Sequence, residues 1–274
     1  MGSIVTPPPP LAVEDVFSEF AGQSKTTVRL HPRRAYPGVR ESSLGGLLLW
    51  PAEEAWPECA AGDDHDEPIV LVAVLQIFAR DVPELPFPNG TDVFQLLWCP
   101  ALHDEDCRPR PVVRWRAEAS IGELLDNPEP PDDEDVEDNH VPNICGLSPE
   151  RVRELPYPWE LDADLRDRVE AWAKERGWSY FAHLSAASGT KVGGWPQWIQ
   201  DPEYPVCHCG TTMTHLITVA SGEWDGESWR RWSPEGTVDG GEAAGLCLGD
   251  GGSNYFFTCP RCPNDPPVMV FQCS

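Results

Sequence analysis

Two stretches of the chain carry the same landmarks in the same order, and this repetition constrains the fold more than any single motif. Residues 44–50 read LGGLLLW and are followed by WPEC at 56–59; residues 192–198 read VGGWPQW and are followed by YPVC at 204–207. In each stretch the cysteine lies thirteen residues after the second glycine. Farther on, LWCP at 97–100 echoes FTCP at 257–260. Ordered anchors of this kind predict two copies of one β-rich unit, and so a scaffold of paired halves. The Gly-Gly steps read as turns, because glycine adopts positive φ and admits close backbone approach. A phosphate-binding loop would need a helix with free amides directly after the glycines, and neither pair has one.

Around these anchors the chain reads mostly as strands. Segments 26–32, 69–78, 94–99, 214–220 and 255–258 are short apolar or alternating runs bounded by Pro, Gly and Asp. Two helices are predicted: a short amphipathic one over residues 11–23, and a clear one over residues 162–176, stopped by Gly177. Four consecutive prolines make residues 1–10 a mobile lead-in. Residues 127–139 hold seven carboxylates and three prolines, which suits a solvated linker or an electrostatic docking segment. The expected architecture is a β-rich α+β fold of two related halves, 11–126 and 140–274, joined by that linker.

The chain carries 45 acidic against 20 basic side chains, a formal net charge of -25. Such a surface repels nucleic-acid phosphates and serves solubility, or steers basic protein partners. No apolar run is long enough to span a bilayer and the first residues do not resemble a secretory signal, so a soluble, cytoplasmic protein is expected. In that compartment ten cysteines are more naturally thiols or metal ligands than disulfides.

Their spacing points to metal. CHCG at 207–210 puts Cys207 and Cys209 on a tight turn, and CPRC at 259–262 puts Cys259 and Cys262 on another. Two cysteine pairs at turn tips that converge on one ion make a zinc-ribbon-like knuckle, with Zn2+ the expected cofactor. The first pair is one residue shorter than the usual C-x2-C. A thioredoxin-like redox pair would want its C-x2-C at a helix start, whereas Cys259 follows the strand-like NYFFT. A catalytic zinc would use three protein ligands plus water, with His208 or His215 as candidate nitrogen donors. In the first half, Cys59, Cys99, His103 and Cys107 could form a second, looser site, or one that has lost its metal. Cys145, Cys247 and Cys273 have no partner at ligand spacing and read as packing residues.

No carboxylate is spaced with a His, Ser or Cys as nucleophile and base. Asp250, in a glycine-rich turn, is the most site-like acid, and turn capping explains it as well. Seven of the twelve tryptophans fall between Trp172 and Trp232. Trp224, Trp229 and Trp232 lie in a polar stretch, where they either fold back onto the core or form a partner-binding surface.

With SSLGG, the LWCP strand, KVGGWPQWIQDPEYPVC, CGTTM and GDGGSNYFF followed by CP in this order, the chain resembles the YwqG-like bacterial family of unknown function. The resemblance spans residues 44–274 and is most specific at 193–213. That family is similar, distantly, to the programmed cell death protein two group, whose members are implicated in chaperoning a ribosomal protein, and bacterial relatives are suspected immunity or toxin-associated proteins. The resemblance implies a non-enzymatic, zinc-stabilised protein-binding module, chaperone-like or immunity-like, that captures a basic client. A zinc-dependent hydrolase and a structural subunit of an assembly are the alternatives. Members of the family carry C-x2-C-G at the first knuckle where this chain has Cys207-His208-Cys209, which leaves the ligand set open, and no catalytic residue is transferred.

Overall fold

Strands dominate because the apolar runs alternate and glycine or proline breaks each before a helix can form. The computed structural model describes residues 5–62, 65–103, 108–131, 135–235 and 241–274. In chain order the strands are β1 (Lys25–Arg29), β2 (Arg33–Arg34), β3 (Ser43–Leu44), β4 (Glu58–Cys59), β5 (Ile69–Val70), β6 (Val72–Phe78) and β7 (Val93–His103). They continue as β8 (Arg108–Arg116), β9 (Cys145–Gly146), β10 (Glu150–Glu154), β11 (Lys191–Gly193), β12 (Thr214–Ala220), β13 (Ser253–Thr258) and β14 (Val268–Gln272). Two six-stranded antiparallel sheets result, ordered β10-β1-β11-β12-β13-β14 and β2-β9-β3-β6-β7-β8, with β4 and β5 as a separate pair. Pro109 and Pro111, which lack an amide hydrogen, are tolerated on β8 because it is an edge strand. The chain is thus a strand-rich α+β fold built on antiparallel sheets, as the sequence led us to expect.

The two sheets share one connectivity. Take β1–β3 with β6–β8 as one series and β9–β14 as the other. Each sheet then reads: second strand of its own series, first strand of the other, and third to sixth of its own. β1 sits between β10 and β11, and β9 sits between β2 and β3. The register matches as well. A bulge between Ala73 and Leu75 in the β6–β7 ladder has its counterpart between His215 and Ile217 in β12–β13. A bulge adds one unpaired residue, so adjacent side chains turn to the same face. Val74 and Leu75, like Leu216 and Ile217, accordingly share the core between the sheets.

That core joins Val28, Val192, Leu216, Ile217, Val219 and Phe256 of one sheet to Leu44, Val72, Leu75, Ile77, Phe94 and Trp98 of the other. Face-to-face sheet packing of this kind leaves each sheet a second, outer face. Leu97 and Cys99 point outward from one sheet, among Leu48, Trp50 and Leu71. Tyr255, Phe257 and Cys259 point outward from the other, among Tyr157, Trp198 and Met213. The two-residue side-chain period fixes this, since odd and even positions alternate sides.

α1 (Ala163–Lys174) forms where predicted. Asp162 caps it by accepting the Leu165 amide at 2.9 Å, and Leu165, Val169 and Ala173 are its buried stripe. Gly177, at φ 76°, ends the turn beyond it in a conformation that suits glycine. The helix expected over residues 11–23 is instead two 3-10 turns, Val13–Asp15 and Ser18–Phe20. Extended backbone at Phe17, with no side-chain cap at either start, breaks it, and the break lets Val13, Phe17 and Phe20 all face α1.

The lead-in is likewise not free from residue 5 onward; residues 1–4 lie outside the described residues. Thr6 is buried, its amide donates to Glu150 Oε1 at 2.7 Å, and its hydroxyl accepts from Arg29 Nη1 at 2.9 Å. Of the acidic stretch, Ala101 bridges Val136, and residues 132–134 lie outside the described residues. The expected division into 11–126 and 140–274 is crossed twice, because β1 pairs within the C-terminal sheet and β9 within the N-terminal one.

Candidate metal centres

The four cysteines singled out in the second half converge. Val206 and Thr212 bridge across a tight turn, the Cys207 amide donates to Thr211 O at 2.9 Å, and the Gly210 amide donates to Cys207 O at 2.8 Å. Gly210 sits at φ 79°, a left-handed turn that aims both thiols of the shortened pair to one side. Cys259 leaves the end of β13, and the Cys262 amide donates back to Cys259 O at 3.2 Å. The ligand atoms of Cys207, Cys209, Cys259 and Cys262 all lie within 4.8 Å of one another. Cys209 and Cys259 Sγ are 3.6 Å apart, too far for a disulfide and close to the ~3.8 Å that two sulfurs keep when each is ~2.3 Å from a tetrahedral ion. The set therefore could hold a metal ion, and four sulfurs leave no coordination position for a water.

Electrostatics there is uneven. The Thr211 hydroxyl, 3.3 Å from Cys209 Sγ, leads the contacts that hold that thiol down to about 6. The Cys262 thiol, hydrogen-bonded to Cys209, is pushed up to about 12. Cys207 and Cys259 are buried, whereas Cys209 and Cys262 are half-buried. His208 lies beside the set, its Nδ1 3.6 Å from Cys207 Sγ and 3.3 Å from Asp265 Oδ2. Cys207, His208, Cys262 and Asp265 also meet the distance criterion for a shared ion. We favour the four-cysteine set, because the His208 side chain is 75% exposed and would have to be desolvated to bind.

His215, the other candidate nitrogen donor, is engaged elsewhere. Its Nδ1 contacts Gly193 O at 2.9 Å and its Nε2 contacts Thr218 Oγ1 at 2.8 Å, and burial pushes its imidazole down to about 3. Asp250 is exposed on a turn and belongs to none of the ligand groups among the described residues.

A second group sits on the outer face of the other sheet. Cys59 at the end of β4, His65 in the following loop, and Cys99 and His103 on β7 place their ligand atoms within 4.8 Å of one another, all four residues buried. His103 Nε2 is 3.9 Å from Cys59 Sγ, His65 Nε2 is 4.0 Å from Cys99 Sγ, and the two rings are 5.4 Å apart. Burial pushes the Cys99 thiol up to about 12. This group too could hold a metal ion. The sequence reading had Cys59, Cys99 and His103 but took Cys107, which lies outside the described residues, as the fourth member. His65 takes that place. The signal for it is the loop position, since His65 follows Cys59 in the connection that corresponds to the one in which Cys209 follows Cys207, whereas the C-x3-H-x3-C spacing along the chain points to Cys107.

The tryptophans divide. Trp232 is buried and donates from Nε1 to Ala182 O at 3.0 Å, and Trp224 packs where a Cβ on Gly241 would stand. Trp229, on the short helix α2 (Trp229–Trp232), is 54% exposed. No helix among the described residues is long and apolar enough to cross a membrane. No family model matches the chain, and no curated protein matches it.

Proposed function

We propose that the protein is a non-enzymatic protein-binding module, chaperone-like or immunity-like, whose C-terminal sheet is clipped by Zn2+ and whose surface captures a basic protein client. The observation that carries the non-enzymatic part is the all-cysteine set: Cys207, Cys209, Cys259 and Cys262 bring four sulfurs within 4.8 Å of one another, the donor set of a structural zinc. A zinc hydrolase needs an open position for water, so this donor set supports clipping over catalysis. The clip joins turns about fifty residues apart, and closing so long a loop restrains the unfolded chain.

The matched connectivity and bulges of the two sheets support descent from one duplicated unit, in keeping with the YwqG-like resemblance. The client class rests on charge. A formal net charge of -25 accelerates encounter with cationic proteins, and exposed Tyr36, Trp159 and Trp229 offer apolar anchors of the kind that dominate interface energies.

The intact protein, used as bait in lysate of its native host, is expected to recover basic proteins at low ionic strength. They should be released near 1 M salt, where the screening length falls to about 3 Å. Repeated recovery of nothing basic would remove the client assignment. An activity abolished by chelation while the fold persists would favour the hydrolase, and a uniform high mass in solution would favour a subunit of an assembly.

A further inference from the structure

We infer that the N-terminal sheet holds a second, independent zinc ion, bound by Cys59 Sγ, Cys99 Sγ, His65 Nε2 and His103 Nε2. Three observations lead there. The first is convergence: four residues from β4, its following loop and both ends of the outward stretch of β7 bring two sulfurs and two ring nitrogens into one buried space. Sulfur-to-nitrogen separations of 3.9 and 4.0 Å are a few tenths of an ångström wider than a tetrahedral ion at about 2.3 Å from sulfur and about 2.0 Å from nitrogen sets, a closure side-chain rotation supplies.

The second is orientation. His65 Nδ1 is 2.7 Å from Glu67 O, so that nitrogen carries the proton and donates, leaving the Nε2 lone pair facing Cys99. An outer carbonyl that fixes the tautomer of a ligating histidine is a recurrent feature of metal sites. Arg110 Nη1 lies 3.9 Å from Cys59 Sγ and donates toward it, so a positive charge stands beside the sulfur.

The third is position. In the ladders, Leu97 and Ala73 face each other as Phe257 and His215 do, so Cys99 occupies on β7 the place that Cys259 occupies after β13. Each group thus takes two ligands from the connection that leads into the fourth strand of its series and two from the end of the fifth. The donor types differ, and burial explains the difference. Two thiolates and two neutral imidazoles balance a divalent cation, so the centre is uncharged and can lie with every ligand buried. Four thiolates around the same cation leave a net negative centre, and there two of the ligands reach solvent. Zinc is the ion this N2S2 set suits, being borderline-soft and indifferent to tetrahedral distortion.

The test is metal content of the full-length protein purified without chelator, with cobalt(II) substitution as a second readout. Two zinc ions per chain are expected. His65→Ala should lower this to one, and the remaining cobalt spectrum should be that of the four-sulfur site. His65→Cys, which restores a ligand, should keep two ions and add thiolate-to-metal charge-transfer intensity. Cys262→Ser should instead leave a single ion with the weaker charge-transfer band of a two-thiolate site. One ion per chain in the wild type with the cobalt spectrum of a four-sulfur site, or two ions in His65→Ala, overturns the assignment. The wild-type count and spectrum together decide even where a variant fails to fold, because they need no substitution.

Discussion

The two ligand groups occupy matched places on matched sheets yet differ in donor, burial and reach. The N-terminal group is buried throughout and mixes sulfur with nitrogen. The C-terminal one is all sulfur, with Cys209 and Cys262 half-buried and His208 and Asp265 at its rim. With zinc bound at both, as proposed above, the scaffold would keep the location of a clip while the donor chemistry follows the local dielectric: charge carried where solvent can relieve it, and neutrality kept where it cannot.

The largest effect should come from stripping metal, and the order of loss tests that contrast. Structural zinc binds with roughly 10–16 kcal/mol of apparent free energy, comparable with or above the roughly 5–15 kcal/mol that holds a domain folded. Removing both ions should therefore unfold the chain. Under a graded series of chelators the C-terminal ion should leave first, with secondary structure retained, because its half-buried sulfurs admit a competing ligand. The N-terminal ion should leave only with global unfolding. Circular dichroism recorded alongside released zinc follows both steps. Simultaneous release of the two ions would break the contrast between an accessible and an enclosed centre.

Much of this pattern was legible in the chain before any coordinates. Gly45 and Gly46 mark the same place as Gly193 and Gly194, and the packing shows why: a Cβ on Gly45 would stand 2.6 Å from Asn143 O, and one on Gly194 would overlap the Glu154 carboxylate. The C-x2-C at Cys259 was legible because both ligands lie on one turn. The exchange of β1 and β9 between sheets was not, because strand pairing is a long-range choice that local alternation does not encode. Nor was His65: the distance between it and Cys99 is set by where β7 returns against the loop after β4, not by any spacing along the chain. The break at Phe17 is not legible in the sequence for a related reason. The apolar spacing there fits a helix, but burial against α1 selects two short turns.

A second difference between the sheets is smaller and lies at the paired bulges, where His215 stands opposite Phe257 and Ala73 stands opposite Leu97. Burial holds His215 at about 3, below the ~6.5 of an unfolded histidine. Because the folded value is the lower one, the stability it reflects is complete above pH ~6.5 and is lost as pH falls toward 3. The loss is about 1.4 kcal/mol per pH unit. His215→Ala places in the second sheet the residue found in the first. It should lower stability near neutrality, since Gly193 O and Thr218 lose a partner, while flattening the fall between pH 6.5 and 5. His31, held at about 4 chiefly by burial, remains and keeps part of the slope. Denaturant melts across that range, with zinc in excess, give both quantities; an unchanged slope would mean that His215 does not carry the acid sensitivity of this sheet.

The smallest effect concerns how each centre is tuned from outside its ligands. At the N-terminal site the contact that fixes His65 is a backbone carbonyl, Glu67 O, which no substitution removes. At the C-terminal site the corresponding role falls to a side chain, the Thr211 hydroxyl beside Cys209 Sγ. Thr211→Val keeps the shape of the turn and the Cys207 amide bond to Thr211 O, so it removes one hydrogen bond to the thiolate and little else. Outer contacts of this kind are worth about tenfold to a hundredfold in metal affinity, and a half-buried one that solvent can partly replace belongs at the lower end. Zinc competition should therefore show the C-terminal site about tenfold weaker in Thr211→Val, with the N-terminal site unmoved. If the C-terminal affinity stayed the same, Cys209 would not be a ligand, and the set at that rim would have to be completed by His208 and Asp265 instead.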